Sequence, residues 1–266
     1  MKYELLALDI DDTLFGADKR ISARNLSAVR AAAAAGVRVT LATGRGYLAS
    51  KPVVDELGIT GAMANYGGAL ISVAETGEEA LCLDMAWDDA KAIMDYAHEH
   101  DIYCHLYQGD TVVYEDKPQY AARYCATLHV PLRHEPELRN MRWERIPKVL
   151  YITEPARIPE LMPELVARFG ASVQVSMSGN SFIEFNRKDV HKASALRWIA
   201  DSLGIPRERV AAMGDNTLDL EMIEWAGLGV AVDNACAQVK AAADVIAPNC
   251  ESDAVAWVIE RHILTD

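Results

Sequence analysis

Asp9-Ile10-Asp11-Asp12-Thr13-Leu14 follows the apolar run Leu5-Leu6-Ala7-Leu8, and the two together decide how the chain is read. Four apolar residues bounded by polar ones read as a buried strand. Carboxylates massed where such a strand ends are costly to desolvate unless a cation or a substrate engages them. The carboxyl ends of strands are also where open α/β sheets bind ligands. Two acids one residue apart, followed by a Thr, suit a nucleophile and a proton donor sharing one divalent cation. A strand running into an acidic turn is the competing, purely structural reading.

Working outward, strand and helix alternate. Ile21-Ser22 reads as a hydrophobic staple and N-cap for a helix that runs through the alanines and stops at Gly36. Val37-Arg38-Val39-Thr40-Leu41-Ala42 is the next strand and ends in Thr43-Gly44-Arg45. A helix over 48–57 follows, with Pro52 near its first turn, and then Ala62-Met63-Ala64 and Ala69-Leu70-Ile71 flank a Gly67-Gly68 turn. Towards the C-terminus the pattern predicts strands at 210–213, 228–232 and 245–246, with helices at 218–225, 237–242 and 253–262. Such alternation specifies an α/β fold with a doubly wound, Rossmann-like parallel sheet.

The middle of the chain differs. Stretches 102–107 and 111–115 are β-rich around Gln108-Gly109-Asp110, and 172–177 and 181–185 repeat the theme around Ser178-Gly179-Asn180. Each is a hairpin signal. Helical stretches at 119–128 and 159–169 and a strand at 148–152 lie between them. This predicts an inserted α+β domain over 84–186, inside a core made of 1–83 and 187–266, with junctions near Leu83 and Asn186.

Composition bounds the function. The 266 residues suffice for two domains. No apolar stretch is long enough to span a bilayer, and no signal peptide is expected ahead of the first strand. The scattered Cys82, Cys104, Cys125, Cys236 and Cys250 form no CxxC pair, which predicts neither a disulfide framework nor a zinc site and fits a reducing cytoplasm. The net charge of −13 argues against nucleic acid or an anionic membrane surface as the main partner. A metal ion and a few placed cations still permit an anionic substrate. His98, His100 and His105 lie close in sequence, but positions two apart share no helix face, so they are not expected to form a metal cluster. Tyr103, Tyr107 and Tyr114 suit one packed face of a sheet rather than a substrate platform.

Four segments converge on one chemistry. The first is Asp9-x-Asp11. The second is Thr43, again at a strand end, whose hydroxyl and following N–H groups could hold a phosphate. The third is Lys192, at the start of a helix over 193–203. The fourth is Gly214-Asp215-Asn216-Thr217-Leu218-Asp219, where Asp215 can join Asp9 and Asp11 around a cation and Asp219 can cap N–H groups or orient neighbours.

In this order and strand context the pattern resembles the haloacid dehalogenase superfamily of phosphohydrolases, and in particular its Cof-type subfamily with a large α/β cap inserted after the third core strand. The resemblance rests on DxDxT at 9–13, TGR at 43–45, the Lys192 segment and GDxxxD at 214–219, and it spans nearly the whole chain. It implies that Asp9 is a nucleophile that forms an aspartyl-phosphate. Asp11 protonates the leaving alkoxide and then takes a proton from water. Thr43 and Lys192 hold the phosphoryl group, with Gly44 and Asn216 alongside. Mg²⁺ sits on the carboxylates of Asp9 and Asp215 and the backbone carbonyl of Asp11, with Asp219 in support. Arg45 either reaches the substrate or pairs with a cap carboxylate.

The resemblance further implies a cytoplasmic hydrolase of small phosphorylated metabolites, sugar phosphates or phosphorylated cofactors, acting as a monomer or homodimer. A phosphomutase uses the same residues, and a non-catalytic phosphometabolite-binding protein would retain the scaffold; both stay open. The chain departs from the family at Leu218, where Asn is usual, at Ala193 and Asp189, where Gly is, and in the longer Asn65-Tyr66-Gly67-Gly68-Ala69 segment.

Overall fold

The computed structural model of the protein describes residues 2–265; Met1 and Asp266, the outermost residues of the expected core, lie outside the described residues. The residues divide into two compact units, one formed by the chain up to Gly44, Ser50–Ala80 and His191 onward, the other by Arg45–Ala49 and Leu81–Val190.

The first unit is built on a five-stranded parallel sheet in the order Val245–Ala247, Leu228–Val232, Val210–Gly214, Leu5–Leu8, Arg38–Leu41. Leu5–Leu8 is the second strand from one edge, paired with Val210–Gly214 on one side and Arg38–Leu41 on the other. All four of its side chains are fully buried. A parallel sheet covered on both faces needs such uninterrupted apolar strands. The helix Ala23–Ala34 begins as its sequence predicts: Ser22 accepts a hydrogen bond from the Asn25 N–H, and Gly36 takes a positive φ just past the end.

The next strand, Ala62–Asn65, makes only a single bridge to the parallel sheet, Ala64 to Ala42. It instead turns back antiparallel onto Leu70–Val73, which leads on to Glu79–Cys82. The reason is local. Tyr66, Gly67 and Gly68 all have positive φ, and that sharp turn reverses the chain before a crossover helix can form.

The second unit is α+β. Its six-stranded sheet runs Val173–Ser178, Phe182–Arg187, Val149–Ile152, Tyr103–Gln108, Thr111–Tyr114, Leu132–His134. All pairs are antiparallel except the last. Both expected hairpin turns are present, with Gly109 and Gly179 at positive φ. One face packs against helices Trp87–Glu99 and Ile158–Phe169 through Ile93, Leu106, Val149, Leu165 and Phe185. On the other face Tyr103 and Tyr114 pack with Ala121 of helix Pro118–Leu128. The tyrosines are therefore core. Among the described residues, the histidines form no metal-binding group: His100 stacks on Tyr96, and His105 is buried between Tyr103 and Tyr107. No helix of the described residues is long and apolar enough to cross a membrane.

Candidate active site

Asp9 continues the Leu5–Leu8 strand, and its N–H donates to the Met213 carbonyl on the neighbouring strand (3.1 Å). The chain then turns at once, because the Ile10 carbonyl accepts from both Leu14 (3.1 Å) and Phe15 (2.8 Å). Asp12 adopts a left-handed φ of 60° within that turn, a conformation Asp tolerates better than most residues. The turn buries the Thr13 hydroxyl and aims it at Asp215 Oδ1 (2.9 Å). Two adjacent parallel strands thus end with Asp9 and Asp215 facing one point.

Asp9, Asp215 and Asp219 each place a carboxylate oxygen within 4.8 Å of the others. Lys192 enters this group from the first position of helix Lys192–Ser202. Its Nζ donates to Asp9 Oδ1 (2.6 Å) and Asp219 Oδ1 (2.5 Å), and its side chain is 2% exposed. Asp219 Oδ2 accepts the backbone N–H groups of Asp215 and Asn216, each at 3.0 Å. Both Asp219 oxygens are therefore engaged by the protein itself, and Asp219 shapes the loop that carries Asp215. Gly214 leaves the space: a Cβ there would collide with the Asp219 side chain.

The electrostatics follow from the count. With every acid ionised, three carboxylates against one ammonium make a formal surplus of two negative charges in a desolvated site. Burial pushes the Asp9 carboxyl well above its ordinary range, the charges of Asp219 and Asp215 push the same way, and Lys192 opposes them. Burial and the charge of Asp219 likewise raise Asp215, from 3.8 to about 7, with the Thr13 hydroxyl resisting. Burial works against the Lys192 ammonium, but Asp219 and Asp9 outweigh it and raise its pKa. Both carboxylates are displaced upward by burial first and by the charge of neighbouring acids second. An all-oxygen donor set short of two charges fits a hard divalent ion such as Mg²⁺, which binds to one or two carboxylates and keeps the rest of its coordination open.

The remaining predicted residues sit less centrally. Asp11 is outside the buried acid group; its side chain is 42% exposed and lies 3.4 Å from Lys19 Nζ, which also holds Asp12 (3.1 Å). Thr43 is buried at the end of its strand, with its N–H on the Ala64 carbonyl (3.0 Å) and its own carbonyl accepting from Gly67 (2.9 Å); Gly44 follows it directly. Asn216 spends its side-chain oxygen on the Thr217 N–H (2.7 Å) and hydroxyl (3.1 Å), capping the short turn that contains Leu218. Arg45 groups with the second unit, where its guanidinium donates to the Ala49 carbonyl (3.3 Å). Two contributors are not disclosed by the sequence: Thr13 lies in the motif, but its partner Asp215 is 202 residues away, and Lys19 carries no local signal because its contact depends on the turn after Asp12.

The chain belongs to the haloacid dehalogenase-like hydrolases, whose family model matches residues 6–259. It is 28% identical over 273 residues to the 5-amino-6-(5-phospho-D-ribitylamino)uracil phosphatase YitU of Bacillus subtilis, covering 97% of each chain. It is 27% identical over 267 residues to the HMP-PP phosphatase of Serratia proteamaculans, covering 98% of this chain and 96% of that one. The crystal structure of a haloacid dehalogenase-like hydrolase from Bacteroides thetaiotaomicron matches with a TM-score of 0.86 at 30% identity, covering 98% and 99%.

Proposed function

We propose that this hydrolase is a Mg²⁺-dependent phosphatase of small phosphorylated metabolites that works through an aspartyl-phosphate on Asp9. The observation that carries the reading is the surplus of two negative charges around Lys192 at the ends of adjacent parallel strands. Such a site repels its phosphate substrate unless cations are supplied. At ~4 Å and an effective dielectric near 20, each carboxylate–phosphate charge pair costs about 4 kcal/mol. Asp9 and Asp215, with the Asp11 carbonyl, would hold Mg²⁺, which supplies charge neutralisation and orientation of the phosphoryl oxygens when bound.

Each other step falls to the protein. In the first, an Asp9 carboxylate oxygen bonds to phosphorus as the ester P–O bond breaks, and Asp11 gives its proton to the departing alkoxide. In the second, water attacks phosphorus, Asp11 takes the water proton, and the Asp9–phosphorus bond breaks to release inorganic phosphate. Splitting the displacement in two replaces one high barrier with two lower ones. Lys192 holds the Asp9 carboxylate and accompanies the phosphoryl charge, with Thr43, Gly44 and Asn216 supplying polar groups beside it. Asp219 keeps the Asp215 loop in place.

Residues 84–186 act as the cap that selects the substrate. Relatives named for phosphatases of small phosphorylated compounds favour sugar phosphates or phosphorylated cofactors as substrates here. The same reading puts the enzyme in the cytoplasm, with its cysteines as thiols.

The test is phosphate release from a panel of phosphorylated metabolites, with Mg²⁺ and with chelator, for wild type and Asp9→Asn. Release that needs metal and falls at least about a thousandfold in the variant is expected, the order seen when a nucleophile is removed. Comparable metal-dependent release from pure Asp9→Asn protein would sink the assignment.

A further inference from the structure

Lys192 stands at the first position of its helix, where the macrodipole is positive and a cation is disfavoured. Its side chain is buried as well. Something must fix that helix start, and the residue that does so is unusual. His191, in extended conformation, caps the helix: its ring Nδ1 accepts the Ser194 N–H (3.0 Å). A backbone N–H can only donate, so Nδ1 carries the lone pair and the ring proton is on Nε2. The Ser194 hydroxyl answers by accepting from the His191 N–H (3.3 Å) and donating to the His191 carbonyl (2.7 Å). Histidine is absent from the short set of preferred N-caps, so this ring is held in its role by context.

That context is the turn between strands Ala62–Asn65 and Leu70–Val73. A Cβ on Gly68 would meet the His191 carbonyl oxygen at 2.5 Å and its carbon at 2.9 Å, and Gly68 has a φ of +104°. Only glycine fits there, on both counts. One residue earlier, the Gly67 N–H donates to the Thr43 carbonyl (2.9 Å). A single turn therefore touches Thr43 through Gly67 and the Lys192 helix start through Gly68. It occupies the segment whose extra residues depart from the family pattern.

We propose that His191, buttressed by the Gly67-Gly68 turn, is a positioning residue that sets the Lys192 ammonium against Asp9 and in register with Thr43. The inference rests on the phosphatase reading for what Lys192 does. The geometry gives each part a distinct failure. Loss of the cap frees the first helical turn, and the ammonium then no longer holds its place between Asp9 and Asp219. A Cβ at Gly68 displaces the carbonyl that Ser194 grips and moves the same turn from the other side.

The test compares His191→Leu, His191→Asn and Gly68→Ala in the full chain, with wild-type turnover and its loss in Asp9→Asn measured alongside to check the underlying reading separately. Three quantities are read: melting temperature, kcat/KM well below melting, and affinity for inorganic phosphate by calorimetry in the presence of Mg²⁺. Loss of an N-cap predicts a drop of about fivefold or more in kcat/KM and in phosphate affinity for His191→Leu. His191→Asn, which restores a strong capping oxygen, recovers most of it. Gly68→Ala falls at least as far. If His191→Leu does not fold, Gly68→Ala and the His191→Asn comparison carry the same decision. Lowered melting temperatures with kcat/KM and phosphate affinity unchanged from wild type would overturn the proposal, because the cap would then serve only the fold.

Discussion

Among the described residues two lysines, Lys192 and Lys148, are buried almost completely, and they do opposite things. Lys192 in the first unit faces three carboxylates, and two negative charges remain over. Lys148 in the second unit pairs with the carboxylate of Glu184 at 3.2 Å, one charge against one. Glu184 accepts from Lys148 on one oxygen and from the Ser178 hydroxyl on the other. The Lys148 ammonium lies over the Tyr107 ring (5.3 Å), and the Tyr107 hydroxyl donates to that of Tyr124 (2.7 Å). Burial and the charge of Lys148 push the neighbouring His105 down to about 3, so the ring adds no charge. Burial alone does not mark a functional charge. The unbalanced cluster calls for a cation, whereas the Lys148–Glu184 pair carries its own counter-charge.

The largest effect should come from breaking the unbalanced side. Lys192→Met removes the one cation from three carboxylates and from the incoming phosphate. Losing a preorganised charge at a reacting centre typically costs about a hundred- to a thousandfold or more in rate. We expect kcat/KM to fall by at least that much, with a steeper Mg²⁺ requirement, in protein that still unfolds cooperatively. Steady-state rates across a Mg²⁺ titration measure both. A variant within tenfold of wild type would mean that Lys192 is structural, like Lys148, and the contrast would dissolve.

The two clusters also differ in how readily the sequence discloses them. Asp9 and Asp215 each end an apolar strand, so local pattern brings them forward, whereas Lys192 stands out only by its place after the second hairpin and by the family resemblance. The parallel sheet is legible for the same reason, since Leu5–Leu8 and Val210–Gly214 are buried on both faces. Lys148 and Glu184 are 36 positions apart, and they meet only because the register that sets Phe185 against Val149 also brings their neighbours side by side. Strand Leu132–His134 has all three side chains exposed, and helix Trp87–Glu99 starts at Ala86 with no capping side chain, so neither announces itself. Lys19 reaches Asp11 through a turn whose left-handed residues are not coded by any Gly or Asn. What local pattern cannot supply is long-range pairing, on which Lys148 and the His191 buttress depend, or the course of an irregular turn, on which Lys19 depends.

Next in size is the balanced side. Lys148→Met leaves Glu184 buried without a counter-charge, which typically costs about 3–5 kcal/mol. Denaturant unfolding should show a loss of that order, while kcat/KM in the folded protein stays within a few-fold of wild type. Adding Glu184→Leu to Lys148→Met should restore much of the stability, because replacing both partners removes the stranded charge. The comparison fails if Lys148→Met stays folded yet loses turnover as Lys192→Met does, for the balanced pair would then be part of the chemistry.

The smallest expected effect tests whether the unbalanced cluster really lacks positive charge. Burial, and then the charge of Asp219, raise Asp215 from 3.8 to about 7. An acid whose pKa is higher folded than unfolded binds more protons in the folded state between those two values. Stability must therefore fall as pH rises from about 4 to about 7, the reverse of the usual paired carboxylate. The full rise would correspond to roughly 4 kcal/mol, and partial exposure of Asp215 reduces it to about 1–2 kcal/mol. Urea unfolding of metal-free protein at pH 5 and 7.5 should show wild type losing that much relative to Asp215→Asn, in which the titrating group is gone. Saturating Mg²⁺ should return the loss in wild type at pH 7.5 and do little for the variant, since a bound cation favours the ionised carboxylate. Parallel pH dependences for the two proteins, unaffected by Mg²⁺, would show that Lys192 and Thr13 already satisfy Asp215, and the first unit would then be as balanced as the second.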